Sequence, residues 1–360
     1  MSIALQITNV PPPGAVITHD PSLWARVDAL LDRAPRDSDL SFHGLEQLAL
    51  RRRRQLGGSG DAATLASERA AAATSLLAPL VLQRVLSAAN APVVVMKGPE
   101  VAEWWQHPVT RPYRDLDVLV EDSDATWHAL REAGFQPAGD PELYLGIHHL
   151  RPLVWPGLPL VVEIHHEPKW VEGATPPTQE LLRTAVPSAT GVPGLLALEP
   201  ARHAVALAVH AWAHVPLGRL GRLVDVAALA QSSNRDELAE IARRWKVDRI
   251  WRLTQASIDS LFGDRRRPLV GHVWARHLWR ARERTVLERH LERWLAPFSA
   301  EPATQAAAAT RRRLADQFAL ADGETRTQML RRSARAAGDA FKRLSDHDET
   351  RAADHSEESR

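Results

Sequence analysis

The sequence predicts a helix-rich α+β protein, in which a small β-sheet core is flanked by N-terminal helices and followed by a C-terminal all-helical layer or domain. Three observations point to it. Between residues 92 and 166, short β-branched runs alternate with helical patterns, the grammar of a small α/β sheet. On both sides of that stretch the apolar spacing is helical. The chain's 360 residues, 44% hydrophobic and 25% charged, are ample for a buried core.

Residues 1–20 contain Pro11-Pro12-Pro13-Gly14 and no periodic apolar pattern, so they are expected to form an irregular arm. Residues 21–91 hold helices from Pro21 to Ala34, Phe42 to Gln55 and Asp61 to Ala89; Gly57-Gly58-Ser59-Gly60 breaks the chain before the third, and Asp61 is its expected N-cap. The α/β core spans 92–175. Its first strand is Pro92-Val93-Val94-Val95-Met96, followed by Gly98-Pro99-Glu100 as a turn into a helix with proline at its first position. Leu116 to Val120 reads as a second strand, Ser123 to Ala133 as a helix closed by Gly134, and Leu160 to His166 as a further strand.

From about Thr178 the strands are expected to stop. A helical domain over 176–300 takes Glu199 to His214, Leu220 to Gln231, Arg235 to Trp245, Ile250 to Leu261 and Arg284 to Pro297. Residues 301–344 give two alanine-rich helices, Thr304 to Leu320 and Glu324 to Leu344, and the polar residues 345–360 are expected to be disordered.

Lys plus Arg number 45 against 44 Asp plus Glu, a net charge of +1, so no global field marks a nucleic-acid or membrane-surface binder. The absence of cysteine excludes disulfides, thiolate metal sites and a cysteine nucleophile. No basic segment precedes a long apolar run at the start, and no window reaches ~18 uncharged apolar residues. A cytoplasmic location without a membrane partner is therefore expected. G-x-G-x-x-G after a strand, G-x-x-x-x-G-K-[ST], H-E-x-x-H and G-x-S-x-G are all missing, which leaves carboxylate chemistry. Positive charge is nearly all arginine; the lysines are Lys97, Lys169, Lys246 and Lys342, so a lysine beside the Gly98 turn stands out.

Asp115 and Asp117 flank Leu116 at a strand mouth and project from the same face, with Cα atoms ~7 Å apart. Two such carboxylates repel unless a cation sits between them, and a divalent ion such as Mg²⁺ takes hard oxygen ligands of this kind. A solvated strand end is the plainer alternative. Glu163 lies in the otherwise apolar Val161-Val162-Glu163-Ile164-His165, where burial without a partner is costly. If its strand lies beside the Asp115 strand, Glu163 joins the aspartates around one or two metals; otherwise it pairs with an arginine such as Arg151.

Met96-Lys97-Gly98 after a strand, Arg111-Pro112-Tyr113-Arg114-Asp115-Leu116-Asp117-Val118-Leu119-Val120, Gly134-Phe135 after a helix, and Val162-Glu163-Ile164-His165 together resemble the uncharacterised nucleotidyltransferase-like family of the DNA polymerase β superfamily. The helix ending His210-Ala211-Trp212-Ala213-His214, followed by Leu223-Val224-Asp225-Val226-Ala227, is similar to that family's downstream block, and the matches span roughly residues 76 to 231. The resemblance implies a mixed sheet and an Mg²⁺-dependent nucleotidyltransferase that moves an NMP unit, or a related nucleotide-activated group, from an NTP-type donor to a hydroxyl or phosphate of a small molecule or modified peptide. It makes Asp115, Asp117 and Glu163 catalytic metal ligands, and it sets Lys97 and Gly98 beside the triphosphate. Pro99 has no N–H to give, so phosphate recognition would rest on Lys97, Arg111, Arg114 and the remaining helix amides. A silent relative that keeps the fold and binds a ligand or protein partner is the alternative.

Around this core, His165 shares the strand face of Glu163, where it either lines the pocket or is a satisfied core histidine. His203, His210 and His214 line one helix face, read as a polar seam toward the cleft with Asp225 bonding one imidazole. Trp105 and Trp155 are the tryptophans nearest the motifs and the candidates for stacking a base. The runs Arg51 to Arg54, Arg265 to Arg267 and Arg311 to Arg313 are expected to be solvated helix faces, and nucleic acid is not an expected partner. Changing both Asp115 and Asp117 to Asn is expected to abolish Mg·NTP binding or turnover with the melting temperature nearly intact.

Overall fold

A computed structural model of the chain describes residues 17–343 except 18, 35, 59–61, 145, 172, 318 and 321–324. The Pro11–Gly14 arm, Asp61 as a cap, and the 345–360 tail lie outside the described residues. Four helices lead in: α1 (Pro21–Leu31), capped by the Asp20 carboxylate, α2 (Asp37–Phe42), α3 (Glu46–Gln55) and α4 (Ala62–Ala88). The helix expected from Phe42 to Gln55 starts only at Glu46, and a separate α2 ends at Phe42, because the chain turns through Gly44 at φ +67° between them.

The sheet is mixed and seven-stranded, in the order β3-β4-β5-β2-β1-β7-β6. Its strands are β1 (Val94–Val95), β2 (Asp115–Leu119), β3 (Gln136–Pro137), β4 (Leu153–Val154), β5 (Val161–His165), β6 (Val186–Pro187) and β7 (Leu196–Ala197). Helix α5 (Pro99–Ala102) follows β1, and α6 (Ser123–Glu132) follows β2 behind an Asp122 cap. Strands β2 and β5 run parallel, as do β1 and β7, while the other neighbours are antiparallel.

Strands do not stop at Thr178. After α7 (Thr178–Arg183), β6 and β7 return to the sheet and extend it beyond β1, so the sheet outruns the 92–175 segment. Two residues are too few to show a period, which is why the sequence pattern missed them.

Alternation on the strands divides the interior in two. Leu116, Val118, Val162 and Ile164 pack with Val81, Leu82 and Val85 of α4 and Leu130 of α6. From the opposite face, Val94, Met96 and Leu119 join a second core with α8 (Pro200–His214) and α9 (Leu220–Ala230). That second face also carries Asp115, Asp117, Glu163 and His165. The acidic strand ends therefore sit between sheet and helical layer.

The layer continues through α10 (Arg235–Arg244), α11 (Asp248–Leu261), α12 (Leu269–Val273), α13 (Arg276–Trp279), α14 (Val286–Leu295), α15 (Pro297–Ala300), α16 (Ala303–Gln317) and α17 (Arg326–Gly338). Among the described residues α4 is the one helix long and apolar enough to cross a membrane by length and composition. It contains Glu68, Arg69 and Arg84, and it packs its Ala78–Val85 side against the sheet.

Candidate active site

Because β2 and β5 are parallel and in register, Asp117 lies directly opposite Glu163, Asp115 opposite Val161, and Leu119 opposite His165. The pairing places the acidic groups of two segments, 46 residues apart in sequence, side by side. Asp117, Glu163 and His165 each offer a ligand atom within 4.8 Å of the others. Asp115 is not in that cluster, yet it is close enough for the charge of Asp117 to act on it; burial first, and then that repulsion, raise its carboxyl above the ordinary range.

Lys97 reaches Asp117 from the β1 side. The Met96 N–H donates to the Asp117 carbonyl at 2.9 Å, which sets the next residue against β2, and Lys97 Nζ then meets Asp117 Oδ1 at 2.8 Å. Burial alone would lower the ammonium's pKa, but the charges of Asp117, Asp115 and Glu163 hold it above its usual value. For Asp117 burial pushes upward, and Lys97 with His165 pulls the carboxyl well below the usual range. Its Oδ1 thus has two cationic or donating neighbours, while its buried Oδ2 has no hydrogen-bond partner.

Gly98 takes φ +61° and ψ −125°, a conformation open essentially to glycine. A Cβ there would stand 2.9 Å from the Asp115 carbonyl oxygen. Gly98→Ala is expected to cost about 1–3 kcal/mol and to push Lys97 away from Asp117. Urea unfolding checks the first effect, and nucleotide affinity checks the second.

Arg111 is committed elsewhere than to an open phosphate site. Its Nε and Nη2 donate to Asp225 Oδ1 and Oδ2 at 2.8 and 3.0 Å, and Nη1 donates to the Gly98 carbonyl at 3.0 Å. Asp225, expected to bond an imidazole, instead takes this guanidinium and the Trp105 indole N–H at 2.8 Å. The clamp ties α9 to the Lys97-Gly98 turn. Arg111→Lys keeps the charge but cannot make the forked contact and the Gly98 bond together, so it should lower melting temperature and weaken nucleotide binding about tenfold. Arg114 is exposed, and its backbone carbonyl serves the sheet by accepting the Val161 N–H.

The histidine face of α8 does meet the turn. His203 Nε2 pairs with the Met96 carbonyl, and His210 Nε2 accepts from Lys97 Nζ at 3.2 Å. The His214 ring centroid lies 4.5 Å from that of His210. Burial, then Lys97, keep His210 neutral by lowering its pKa far below 6.5. Across the cleft His165 Nε2 donates to Asp117 Oδ1 at 3.0 Å; burial opposes its protonation, but bonds to Asp117 and Glu163 prevail and raise its pKa.

Sequence reasoning did not single out His148 and His149, which lie in the loop before β4. His149 forms a bridge opposite His165, and its Nε2 is 3.9 Å from Glu163 Oε2. His148 approaches the His165 ring at 5.3 Å between centroids, and burial drops its pKa to about 2. The His-His doublet was the available signal. Glu163 is not paired with Arg151, which donates instead to the carbonyls of Ala138 and Gly139.

Neither tryptophan is placed to stack a base. Trp105 is 1% exposed and bonded to Asp225, while Trp155 lies between the Phe135 ring and the Arg84 guanidinium. Within the Arg51–Arg54 run the last three are ion-paired, Arg52 to Asp28 and Asp32, Arg53 to Asp37, and Arg54 to Glu68. A cavity of about 460 Å³ on the helical layer, lined by Leu23, Gln231, Arg235 and Phe262 among others, contains none of these site residues.

No curated protein and no solved structure matches the chain. A family model described as an uncharacterised nucleotidyltransferase matches residues 40–263, which takes in α3 through α11 and every strand of the sheet. With well over half of the chain matched, and with paired acidic strands behind a Lys-Gly turn, the protein belongs to that nucleotidyltransferase family.

Proposed function

We propose that the protein is an Mg²⁺-dependent nucleotidyltransferase that moves an NMP unit, or a related nucleotide-activated group, from an NTP-type donor to a hydroxyl or phosphate of a small molecule or modified peptide. The observation that carries this reading is the convergence of Lys97, Asp117 and Glu163 from three neighbouring strands on the helical side of the sheet. A divalent ion fits the donors, because the buried Asp117 Oδ2 has no partner of its own.

In this reading Asp115, Asp117 and Glu163 hold metal, which when bound neutralises phosphate charge and activates the attacking hydroxyl. Lys97, 18% exposed along its side chain beside Asp117, would be the cation that meets the triphosphate. Gly98 lets the backbone approach β2, and Arg111 with Asp225 holds the turn in place. Glu163 sits beside the reacting hydroxyl as ligand or base. A cytoplasmic setting suits a cysteine-free chain that uses a nucleotide donor.

Two observations favour the silent alternative: Lys97 already neutralises Asp117, and Pro99 removes an amide from the helix start. Calorimetry with ATP, GTP, CTP and UTP, with and without Mg²⁺, separates the two. Binding of at least one nucleotide only with Mg²⁺, and transfer of label from an α-³²P donor, is the expected result. Absence of heat with all four nucleotides would leave the binding-module alternative.

A further inference from the structure

The donor set around Asp117 contains more nitrogen than an all-carboxylate metal centre. His165 Nε2 lies 3.0 Å from Asp117 Oδ1 and 3.6 Å from Glu163 Oε2. On the far side of Glu163, His149 Nε2 is 3.9 Å from the same Oε2, and the His149 and His165 rings are 5.1 Å apart. Two carboxylates and one imidazole, those of Asp117, Glu163 and His165, therefore offer donor atoms within 4.8 Å of one another, and His149 adjoins them beside Glu163. Asp117 Oδ2 is fully buried there without a hydrogen-bond partner. Unsatisfied atoms of this kind are costly unless a further group joins them.

The chemistry of the donors decides which ion. Magnesium demands oxygen ligands and keeps its waters, whereas imidazole is a common ligand of borderline first-row ions. We propose that His165 is a metal ligand together with Asp117 and Glu163, with His149 as a further donor beside Glu163, and that this position holds a resident first-row ion of the Mn²⁺ to Zn²⁺ group as one of the two metals the site would take, the other being the Mg²⁺ that would arrive with the nucleotide at Asp115 and Asp117. His165 coordinates through Nε2. The proton that Nε2 now donates to Asp117 moves to Nδ1 or leaves to solvent, as metal binding to a histidine requires. The inference rests on the nucleotidyl-transfer reading for its purpose, but its test needs no turnover.

Chelator-stripped full-length protein is loaded with Mn²⁺ and examined by electron spin echo spectroscopy, with natural-abundance and ¹⁵N-histidine samples compared. Directly bound imidazole is expected to show nitrogen modulation that changes on labelling. His165→Gln should remove most of that modulation and weaken Zn²⁺ at least tenfold, while Mg²⁺ affinity changes by less than threefold. His149→Gln should weaken Zn²⁺ by a smaller factor. The wild-type spectrum is decisive even if His165→Gln fails to fold: no nitrogen coupling overturns the proposal. Full modulation in a folded His165→Gln protein, or an unchanged ratio of Zn²⁺ to Mg²⁺ affinity, overturns the assignment of His165. Nitrogen-coupled Mn²⁺ in a protein that transfers no nucleotide would leave this site standing and remove only the function proposed above. Transfer supported by Mg²⁺ with no nitrogen coupling would do the reverse.

Discussion

Asp117→Asn is expected to reduce nucleotidyl transfer by about 10³-fold, the scale on which a preorganised charge-stabilising group acts, and to destabilise the fold at the same time. Asp117 is fully buried, with Lys97 Nζ at 2.8 Å and His165 Nε2 at 3.0 Å on one oxygen. The substitution leaves the Lys97 ammonium without its nearest anion, and a buried pair broken on one side costs about 3–5 kcal/mol. Asp115→Asn should behave differently. Its carboxyl is raised by burial and by Asp117, so neutralising it removes a repulsion and leaves melting temperature unchanged or slightly higher. The two aspartates, which sequence alone treats as equivalent and free of structural cost, thus separate into a buried structural anion and a more accessible one. Steady-state transfer and urea unfolding on the two single variants check this; Asp117→Asn turnover within tenfold of wild type would refute the catalytic assignment.

What the sequence revealed about this site follows from the range of each interaction. Asp115 and Asp117 two apart, and Glu163 and His165 two apart, share a face by strand geometry alone, and the structure places both pairs on the helical side of the sheet. Their meeting depends on β2 and β5 pairing in parallel, which the apolar runs suggest but cannot align. Arg111 and Asp225 lie 114 positions apart, and no local pattern links a fork to its carboxylate at that distance. The same holds for Lys97 and His210, 113 positions apart. Strands β3, β4, β6 and β7 are two residues each, below the length at which alternation exists, and unlike the equally short β1 they sit in no β-branched run such as Val93-Val94-Val95, so they were illegible while β1, β2 and β5 were not.

Acidification should destabilise the protein steeply below about pH 6.5, because its interior is built on neutral imidazoles. His43 is wholly enclosed: its Nε2 donates to the Arg282 carbonyl at 2.9 Å and its Nδ1 accepts the Leu220 N–H at 3.2 Å. Burial lowers its pKa from 6.5 to about 3, and burial likewise lowers His203 to about 4 and takes His210 and His277 well below 6.5. A histidine depressed in the folded state contributes stability that is present above 6.5 and lost as pH falls, since the unfolded chain takes up the proton first. Each such group removes about 1.4 kcal/mol per pH unit below 6.5, so these four together remove roughly 5 to 6. Glu100 opposes them. Burial raises it to about 7 despite bonds from Ser188 and Ala189, so its contribution is present below 4.5 and lost as pH rises toward 7. On acidification it offsets about one histidine, leaving a net slope of about 4 kcal/mol per pH unit against a typical total stability of about 5–15 kcal/mol. His165, raised rather than lowered, adds no loss in this window. Urea unfolding at pH 7.5, 6.5 and 5.5 measures the slope. His43→Gln, which keeps one donor and one acceptor, should lessen it by about 1.4 kcal/mol per unit. A stability that stays flat from pH 7.5 to 5.5 would mean that the histidines are reached by water or paired with acids, contrary to the packing around His43, His203 and His277.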